Sequence, residues 1–299
     1  MRVVVLGSAA GGGFPQWNSN AAGCRRVRAG DPAARARTQT GLAVSADGER
    51  WFLINASPDL RTQIERSPFL HPREGLRSSP IAGVVLTGGD VDVIAGLLTL
   101  RERQAFTVFA TTQIHDVLDA NPVFEVLARD VVRRERLPLD TPVTLDGDLR
   151  LELFAVPGKV PLYLEQDDAP VIETSGTTVA AAVSDGRSTM LFIPGCAAMT
   201  PALSERLRGA SLVLFDGTLS HDDEMVVQGL GPKTGRRMGH MSLFGPAGTL
   251  AAFRDLEVGR KILVHLNNSN PVLLDDSPER AAVEAAGWEV GYDGLEITL

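Results

Sequence analysis

The chain has 299 residues, 44% of them hydrophobic, and a formal net charge of −8. This size and apolar content predict one α/β domain over residues 1–299. The negative charge argues against a general affinity for nucleic acid or for anionic membrane surfaces. No apolar run is long enough for a membrane span or a signal peptide, and the chain has only two cysteines, Cys24 and Cys196, far apart in sequence. These features favour a reduced, cytoplasmic protein.

In chain order, apolar runs and alternations predict ten strands, separated by helical patterns and turns. The strands are predicted at residues 2–6, 42–45, 51–54, 83–86, 107–110, 149–156, 178–183, 189–193, 212–215 and 261–264. Helices are predicted at residues 60–65, 111–119, 122–129 and 201–208. The charged stretch 130–148 is predicted to be turns, and residues 14–30 to be a loop. The stretch 157–177, rich in proline and glycine, is the best candidate for a lid over a site.

Five of the predicted strands end in polar or glycine-rich turns. These turns contain Asn55, Gly88 to Asp92, Pro194 to Cys196, Asp216 and His265. Because ligand sites in open α/β sheets gather at the ends of the strands, we expect these turns to converge. Asp90 and Asp92 also precede a helical pattern, and an aspartate in that place is a common helix cap, so a structural role for either residue stays open.

Three of the five histidines lie at loop or strand ends and suggest a metal site. The candidate ligands are Asp90, Asp92, Asp216, His240 and His265. Two histidines and one carboxylate with open positions are typical of non-heme Fe(II) sites that activate oxygen, whereas zinc hydrolases usually keep three ligands and a water. The ligand types alone therefore leave both chemistries open.

Several long motifs resemble the coenzyme PQQ synthesis protein B family. They are Gly7-Ser-Ala-Ala-Gly-Gly-Gly-Phe-Pro-Gln-Trp-Asn18, Asn55-Ala-Ser-Pro-Asp59, Asp216-Gly-Thr-Leu, Met238-Gly-His240, Val264-His-Leu-Asn-Asn-Ser-Asn-Pro271 and Asp276-Ser-Pro-Glu-Arg280. The resemblance covers nearly the whole chain. It implies a metallo-β-lactamase-like αββα sandwich of two mixed sheets. It also implies an iron-dependent hydroxylase that acts on the tyrosine of a peptide-derived Glu-Tyr intermediate in pyrroloquinoline quinone (PQQ) biosynthesis.

The resemblance also suggests roles for individual residues. Asp92 matches the acidic residue of the Asp-His pair in the second metallo-β-lactamase motif and is a candidate catalytic residue as well as a ligand. Asp216, His240 and His265 match the other metal positions. His221 is expected next to the ligands and is the second candidate catalytic residue. The candidate polar contacts to a substrate under the 157–177 loop are Ser57, Asp59, Asn267 and Asn268.

The sequence departs from the family pattern in two places. The Cys-x-Cys-x-x-Cys motif of a structural zinc site reads Ser19, Ala21 and Cys24 here, and one thiolate cannot make that site, so we expect no structural zinc. The histidine that follows the motif aspartate is replaced by Val93, which has no lone pair. We therefore expect the metal site to lose one ligand, for which Asp90 could substitute.

Three hypotheses follow. The first is the Fe(II)-dependent hydroxylase, with O2 as co-substrate and a small peptide-derived or amino-acid-derived substrate. The second is a related metallo-hydrolase in another natural-product pathway, using Zn(II) or Mn(II). The third is a metal-free protein that binds a precursor. A homodimer is compatible with each of them.

Overall fold

The computed structural model describes residues 1–165 and 172–299, and in these ranges it contains two seven-stranded sheets. The strands are β1 (Arg2–Gly7), β2 (Gly41–Ser45), β3 (Trp51–Ile54), β4 (Ile81–Val85), β5 (Phe106–Ala110), β6 (Val132–Arg136), β7 (Val143–Thr144), β8 (Arg150–Gly158), β9 (Glu173–Ser184), β10 (Thr189–Ile193), β11 (Leu212–Asp216), β12 (Arg260–Val264), β13 (Glu289–Val290) and β14 (Leu295–Thr298).

The helices are short and connect the strands. They are α1 (Ala22–Arg28), α2 (Leu60–Glu65), α3 (Val91–Ile94), α4 (Thr112–Ala120), α5 (Pro201–Leu207), α6 (Glu224–Val227), α7 (Gly235–Met238), α8 (Thr249–Ala252) and α9 (Pro278–Ala285). Single 3₁₀ segments lie at Pro68–Leu70, Ala95–Leu100, Pro122–Val126, Leu162–Leu164 and Pro271–Leu273. Within the described part of the chain, no helix has the length and apolarity needed to cross a membrane.

Both sheets repeat one pattern of strand directions. The first has the order β14-β1-β2-β3-β4-β5-β6, and the second β7-β8-β9-β10-β11-β12-β13. In each sheet the first three pairings are antiparallel and the last three are parallel. The order of hairpins and helices in the sequence suggests two similar halves, roughly residues 1–130 and 149–299, and the shared pattern supports that interpretation. Strand β14 is the exception, because it lies in the sheet of the first half.

Alternation along the strands divides the apolar side chains between two cores. Leu212 and Leu214 of β11 belong to the core between the sheets, whereas Val213 and Phe215 face an outer core that contains Leu203 of α5. This division follows from the period of two in a strand, which sends neighbouring side chains to opposite faces. The predicted αββα arrangement with two mixed sheets is confirmed.

Several predicted boundaries were wrong. The stretch 130–148 contains two strands, β6 and β7, and residues 14–30 contain helix α1. The predicted helix at 122–129 is only a 3₁₀ segment, Pro122–Val126. The candidate lid is much shorter than 157–177, because β8 runs to Gly158 and β9 begins at Glu173. Residues 166–171 of that stretch lie outside the described residues.

Candidate metal centre

Turns from both sheets meet at one cavity of about 400 Å³. Asn55 follows β3, Asp90 and Asp92 follow β4, Gly195 follows β10, and His265 follows β12, and all five line this cavity. The carboxyl ends of five strands with parallel pairings lie in this region: β3, β4, β10, β11 and β12. The expected convergence of strand ends is therefore observed.

Asp216, the last residue of β11, lies fully buried beneath the cavity. Its Oδ2 accepts hydrogen bonds from the backbone N of Cys196 (2.9 Å) and from Nδ1 of His240 (2.7 Å). Its Oδ1 accepts from the backbone N and the hydroxyl of Thr218. Burial by itself would raise the pKa of Asp216, but the charge and the hydrogen bond of His240 hold it below its usual value. Asp216 thus fixes the orientation of the His240 ring through Nδ1, so that Nε2 is the nitrogen left to bind a metal.

Thr218 connects the two histidines. Its Oγ1 lies 2.6 Å from Oδ1 of Asp216, 3.1 Å from Nδ1 of His240 and 2.8 Å from Nδ1 of His265. A hydroxyl has a single proton, and the carboxylate is the strongest acceptor among these neighbours. The Thr218 hydroxyl therefore donates to Asp216 and accepts from His265.

His265 follows β12 with a left-handed backbone, at φ 57°. Few residues other than glycine adopt this conformation, and such strain is often found at functional sites. Nε2 of His265 donates to Oδ2 of Asp92 at 3.0 Å. Burial lowers the pKa of His265, but the hydrogen bond and the negative charge of Asp92 outweigh it, and the pKa is raised above its usual 6.5.

Asp90 and Asp92 stand at the start of α3. The capping explanation for Asp90 does not hold, because its side chain makes no capping hydrogen bond. Oδ1 of Asp90 instead accepts from the backbone N of Leu162 at 3.3 Å. Burial and the neighbouring Asp92 raise the pKa of Asp90. Asp92 has a lowered pKa, because the bond and charge of His265 outweigh the effect of burial.

Asp216, His240 and His265 form the compact group of potential ligands. Each offers one atom, and these atoms all lie within 4.8 Å of one another. The two imidazole rings stack with centroids 5.2 Å apart. Asp90 and Asp92 stay outside this group, with Asp92 bonded to His265, and Val93 lines the cavity without a donor atom. Two imidazoles with a carboxylate fit zinc or a first-row transition metal.

Four predicted residues lie away from the cavity. Ser57 is fully buried, and Oδ2 of Asp59 accepts from the backbone and side chain of Gln39. Asn268 lines a second cavity and donates to Gln16. His221 is exposed and stacks on Phe244. These positions are corrections to the sequence-based set, in which only Asn267 among the substrate contacts lines the main cavity.

The segment that contains Ser19, Ala21 and Cys24, where no structural zinc is expected, is held by packing and hydrogen bonds. Cys24 is fully buried on α1, and its Sγ donates to Oδ1 of Asn268 at 3.7 Å. Ser19 Oγ accepts from the backbone N of Ala21. The aromatic ring of Phe14 lies against Gly23 of the same helix, where a Cβ would approach Phe14 Cε2 to 3.2 Å.

The cavity is also lined by Thr218, Lys159 and Lys233, which are not among the residues predicted from the sequence. Thr218 follows Asp216 by two residues, so the Asp-Gly-Thr turn could have suggested it. The lysines carried a weaker signal. The chain has only three, at positions 159, 233 and 261, and the first two line this cavity.

Comparisons with known proteins agree with the fold. A family model described as Beta-lactamase superfamily domain matches residues 50–266, more than half of the chain. The two mixed sheets and the cluster of potential ligands define a protein of this superfamily. Coenzyme PQQ synthesis protein B of Gluconacetobacter diazotrophicus is 61% identical, covering 99% of each chain, and that of Methylorubrum populi is 52% identical over both full lengths. The chain belongs to the coenzyme PQQ synthesis protein B family.

Solved structures give the same result. Zn(2+)-bound PqqB from Methylobacterium extorquens is 52% identical and superposes with a TM-score of 0.98, covering 100% of both chains. A diphosphatase from the PhnP family has a TM-score of 0.69 at 21% identity, covering 99% of this chain and 97% of its own. At that identity the second likeness concerns the fold alone.

Proposed function

We propose that the chain is a metal-dependent hydroxylase of PQQ biosynthesis that acts on the tyrosine of a peptide-derived Glu-Tyr intermediate. The observation that carries the proposal is the convergence of Asp216, His240 and His265 at a cavity. Their ligand types match those of oxygen-activating Fe(II) sites. Relatives that are 52–61% identical to the chain are coenzyme PQQ synthesis proteins, which supports the pathway.

In this proposal His240 and His265 bind the metal, with Asp216 and Asp92 as the neighbouring carboxylates. Fe(II) held there would supply binding and activation of O2. Asp216 orients the ring of His240 through Nδ1, and Thr218 orients the ring of His265 through Nδ1. Such partners fix the tautomer and direction of a metal-binding imidazole. Nε2 of His265 would exchange its hydrogen bond with Asp92 for the metal.

Asp90 is the side chain best suited to hold a proton in the cavity. Burial and the adjacent Asp92 raise its pKa, which brings a carboxyl group closer to the range where it can exchange protons near neutral pH.

The cavity volume lies within the range common for small-molecule sites, so it suits a substrate of dipeptide size.

A metallo-hydrolase is the second candidate, because the 52% identical PqqB from Methylobacterium extorquens binds Zn(2+). Zinc has no redox chemistry and would favour activation of a bound water. This candidate predicts Zn(II) or Mn(II) dependence without oxygen uptake. The third candidate is a precursor-binding protein that holds no metal, because Val93 stands where a histidine ligand is expected.

The test is anaerobic Fe(II) binding to the metal-free protein, followed by oxygen uptake with the Glu-Tyr dipeptide. His265→Ala and Asp92→Ala should both weaken iron binding. His221→Ala is the matched control, because it removes an imidazole that lies outside the cavity. Stoichiometric iron with dipeptide-dependent oxygen uptake supports the hydroxylase. Zinc-dependent hydrolysis without uptake would favour the second candidate, and no metal binding by the wild-type chain would favour the third.

A further inference from the structure

Three basic side chains converge on one carboxylate at the edge of the cavity. Oε1 of Glu165 lies 2.6 Å from Nζ of Lys159. Oε2 of Glu165 lies 3.2 Å from Nη1 of Arg237 and 3.6 Å from Nζ of Lys233. The side chain of Glu165 is only 9% exposed. A carboxylate thus occupies a nearly enclosed position in which three cations surround it.

Two of the three cations face the candidate metal centre. Lys159 and Lys233 line the same cavity as His240 and His265. Among the residues that the structure describes, one carboxylate against three cations leaves two positive charges without an anionic partner in the cluster. Asp90 and Asp92 also line the cavity, where Asp92 is bonded to His265. The cavity therefore has an acidic side at the potential ligands and a basic side at the lysines.

The ammonium group of Lys159 is held in place rather than free to sample solvent. Its aliphatic stem packs on Gly239, which has a left-handed φ of 85° and where a Cβ would lie 3.1 Å from Lys159 Cγ. The backbone O of Lys159 accepts from the hydroxyl of Thr178 at 2.9 Å. Holding a long side chain in advance reduces the entropy that a ligand has to overcome. Gly239 directly precedes His240, so the lysine position and the metal position share one loop.

We propose that Lys159 and Lys233 form a carboxylate-binding subsite, so that the enzyme takes an anionic amino-acid-derived or peptide-derived substrate. The substrate carboxylate binds between the two ammonium groups, beside Glu165, and the opposite end of the molecule reaches Asp216, His240 and His265. Charge-assisted hydrogen bonds of this kind are about twice as strong as neutral ones. The subsite rests on the proposed function for the identity of the substrate, but its binding does not depend on turnover.

The test is the dissociation constant of the Glu-Tyr dipeptide for the full chain loaded with Zn(II), measured anaerobically by calorimetry. Lys159→Gln and Lys233→Gln should each weaken binding about tenfold. Lys261→Gln is the matched control, because this third lysine lies over the ring of Trp288 instead of in the cavity. The wild-type chain should prefer the dipeptide to its diamide, in which both carboxylates are neutral, and the two cavity variants should lose that preference.

Glu165→Gln separates ligand binding from a structural role of the ion pairs. If the lysines bind the ligand, removal of the competing carboxylate should tighten dipeptide binding several-fold. If the ion pairs only hold the loop around Glu165 in place, Glu165→Gln should weaken dipeptide binding. Equal affinities for dipeptide and diamide, no binding by the wild-type chain, or cavity variants that behave like Lys261→Gln would overturn the subsite. Lysine-dependent binding in this experiment, with no oxygen uptake by the Fe(II)-loaded chain in the experiment under Proposed function, would retain the subsite and reject the hydroxylase.

Discussion

Nε2 of His265 donates to Asp92 at 3.0 Å while Nδ1 of the same ring donates to the hydroxyl of Thr218 at 2.8 Å. The hydroxyl cannot be the donor in the second bond, because its only proton goes to Asp216. Both nitrogens of His265 therefore carry protons, and the ring is an imidazolium between two acceptors. The raised pKa of His265 agrees with this assignment.

Metal affinity should rise with pH. A metal-binding imidazole must lose a proton, and the raised pKa of His265 extends the competition by protons above the usual 6.5. Below that raised pKa we expect about a tenfold gain in affinity per pH unit, since one proton leaves per metal bound. Asp92→Asn removes the charge that raises the pKa of His265. Metal affinity in this variant should therefore stop rising at a lower pH than in the wild-type chain. Metal titrations across a pH series measure both profiles, and parallel profiles would contradict the assignment.

The stability of the metal-free protein should decrease on both sides of neutral pH. His265 has a raised pKa, so its contribution is complete below 6.5 and is lost as the pH rises through the folded-state value. Asp92 and Asp216 have lowered pKa values, so their contributions are present above 3.8 and are lost as the pH falls. Thermal unfolding in the presence of a chelator should show an alkaline limb, the fall in stability as the pH rises, and an acidic limb, the fall as the pH decreases. His265→Asn should remove most of the alkaline limb, and an unchanged limb would assign it to other groups.

Val93→His should strengthen metal binding. Val93 lines the cavity beside Asp92 and offers no lone pair, whereas an imidazole there adds a nitrogen ligand. We expect an increase in affinity of about tenfold or more, as is typical for groups that support a metal site. Val93→Leu changes the side chain without adding a donor and is the matched control. Competition with a chelator measures the difference, and equal affinities in the two variants would place the metal away from this position.

Thr218→Val should destabilise the protein by about 1 to 3 kcal/mol, because Asp216 loses a buried donor and His265 loses an acceptor. Thr218→Ser keeps the hydroxyl and should retain most of the stability. Urea unfolding of the metal-free variants measures the difference. If serine and valine cost the same, the methyl group rather than the hydroxyl carries the effect.

Gly96→Ala should be among the most destabilising small substitutions. A Cβ at this position would overlap the carbonyl oxygen of Ser57, which is backbone and cannot rotate away. We expect a loss of about 3 kcal/mol or more. Gly186→Ala is the control. Its Cβ meets nothing within 4 Å, so its only cost is that of a left-handed φ of 82°, about 1 to 2 kcal/mol. Equal losses in the two variants would show that the backbone near Ser57 adjusts.

The sequence predicted the strands that have a clear pattern of apolar residues and end in a polar turn. Buried strands such as β3 and β11 are nearly continuous apolar runs, and the polar ends of β11 and β12 led to Asp216 and His265. Strand β6 was missed because its sequence, Val-Arg-Arg-Glu-Arg, has one apolar residue. It is an edge strand, and charged side chains on an edge hide the strand pattern while they discourage pairing with other chains.

The site was predictable at strand ends and much less so in loops. Ser57 and Asp59 belong to a family motif and follow a strand, yet Ser57 turns into the core and Asp59 bonds to Gln39. Their sequence pattern cannot distinguish a polar group that faces a cavity from one that stabilises a turn. Helix α1 was missed for a similar reason: its N-terminus has no side-chain cap, and only Cys24 is buried. The contribution of Thr218 depends on three partners that only the folded chain brings together.

Strand β14 completes the first sheet by pairing with β1, and the backbone N of Leu299 donates to the carbonyl of Met1. During synthesis, β1 therefore has an open hydrogen-bonding edge until β14 has been made. An exposed edge of this kind can pair with the same strand of another copy. A chain that lacks β14 is thus more prone to aggregate than one in which β14 covers the edge of β1. Deleting residues 295–299 would make that vulnerable state permanent.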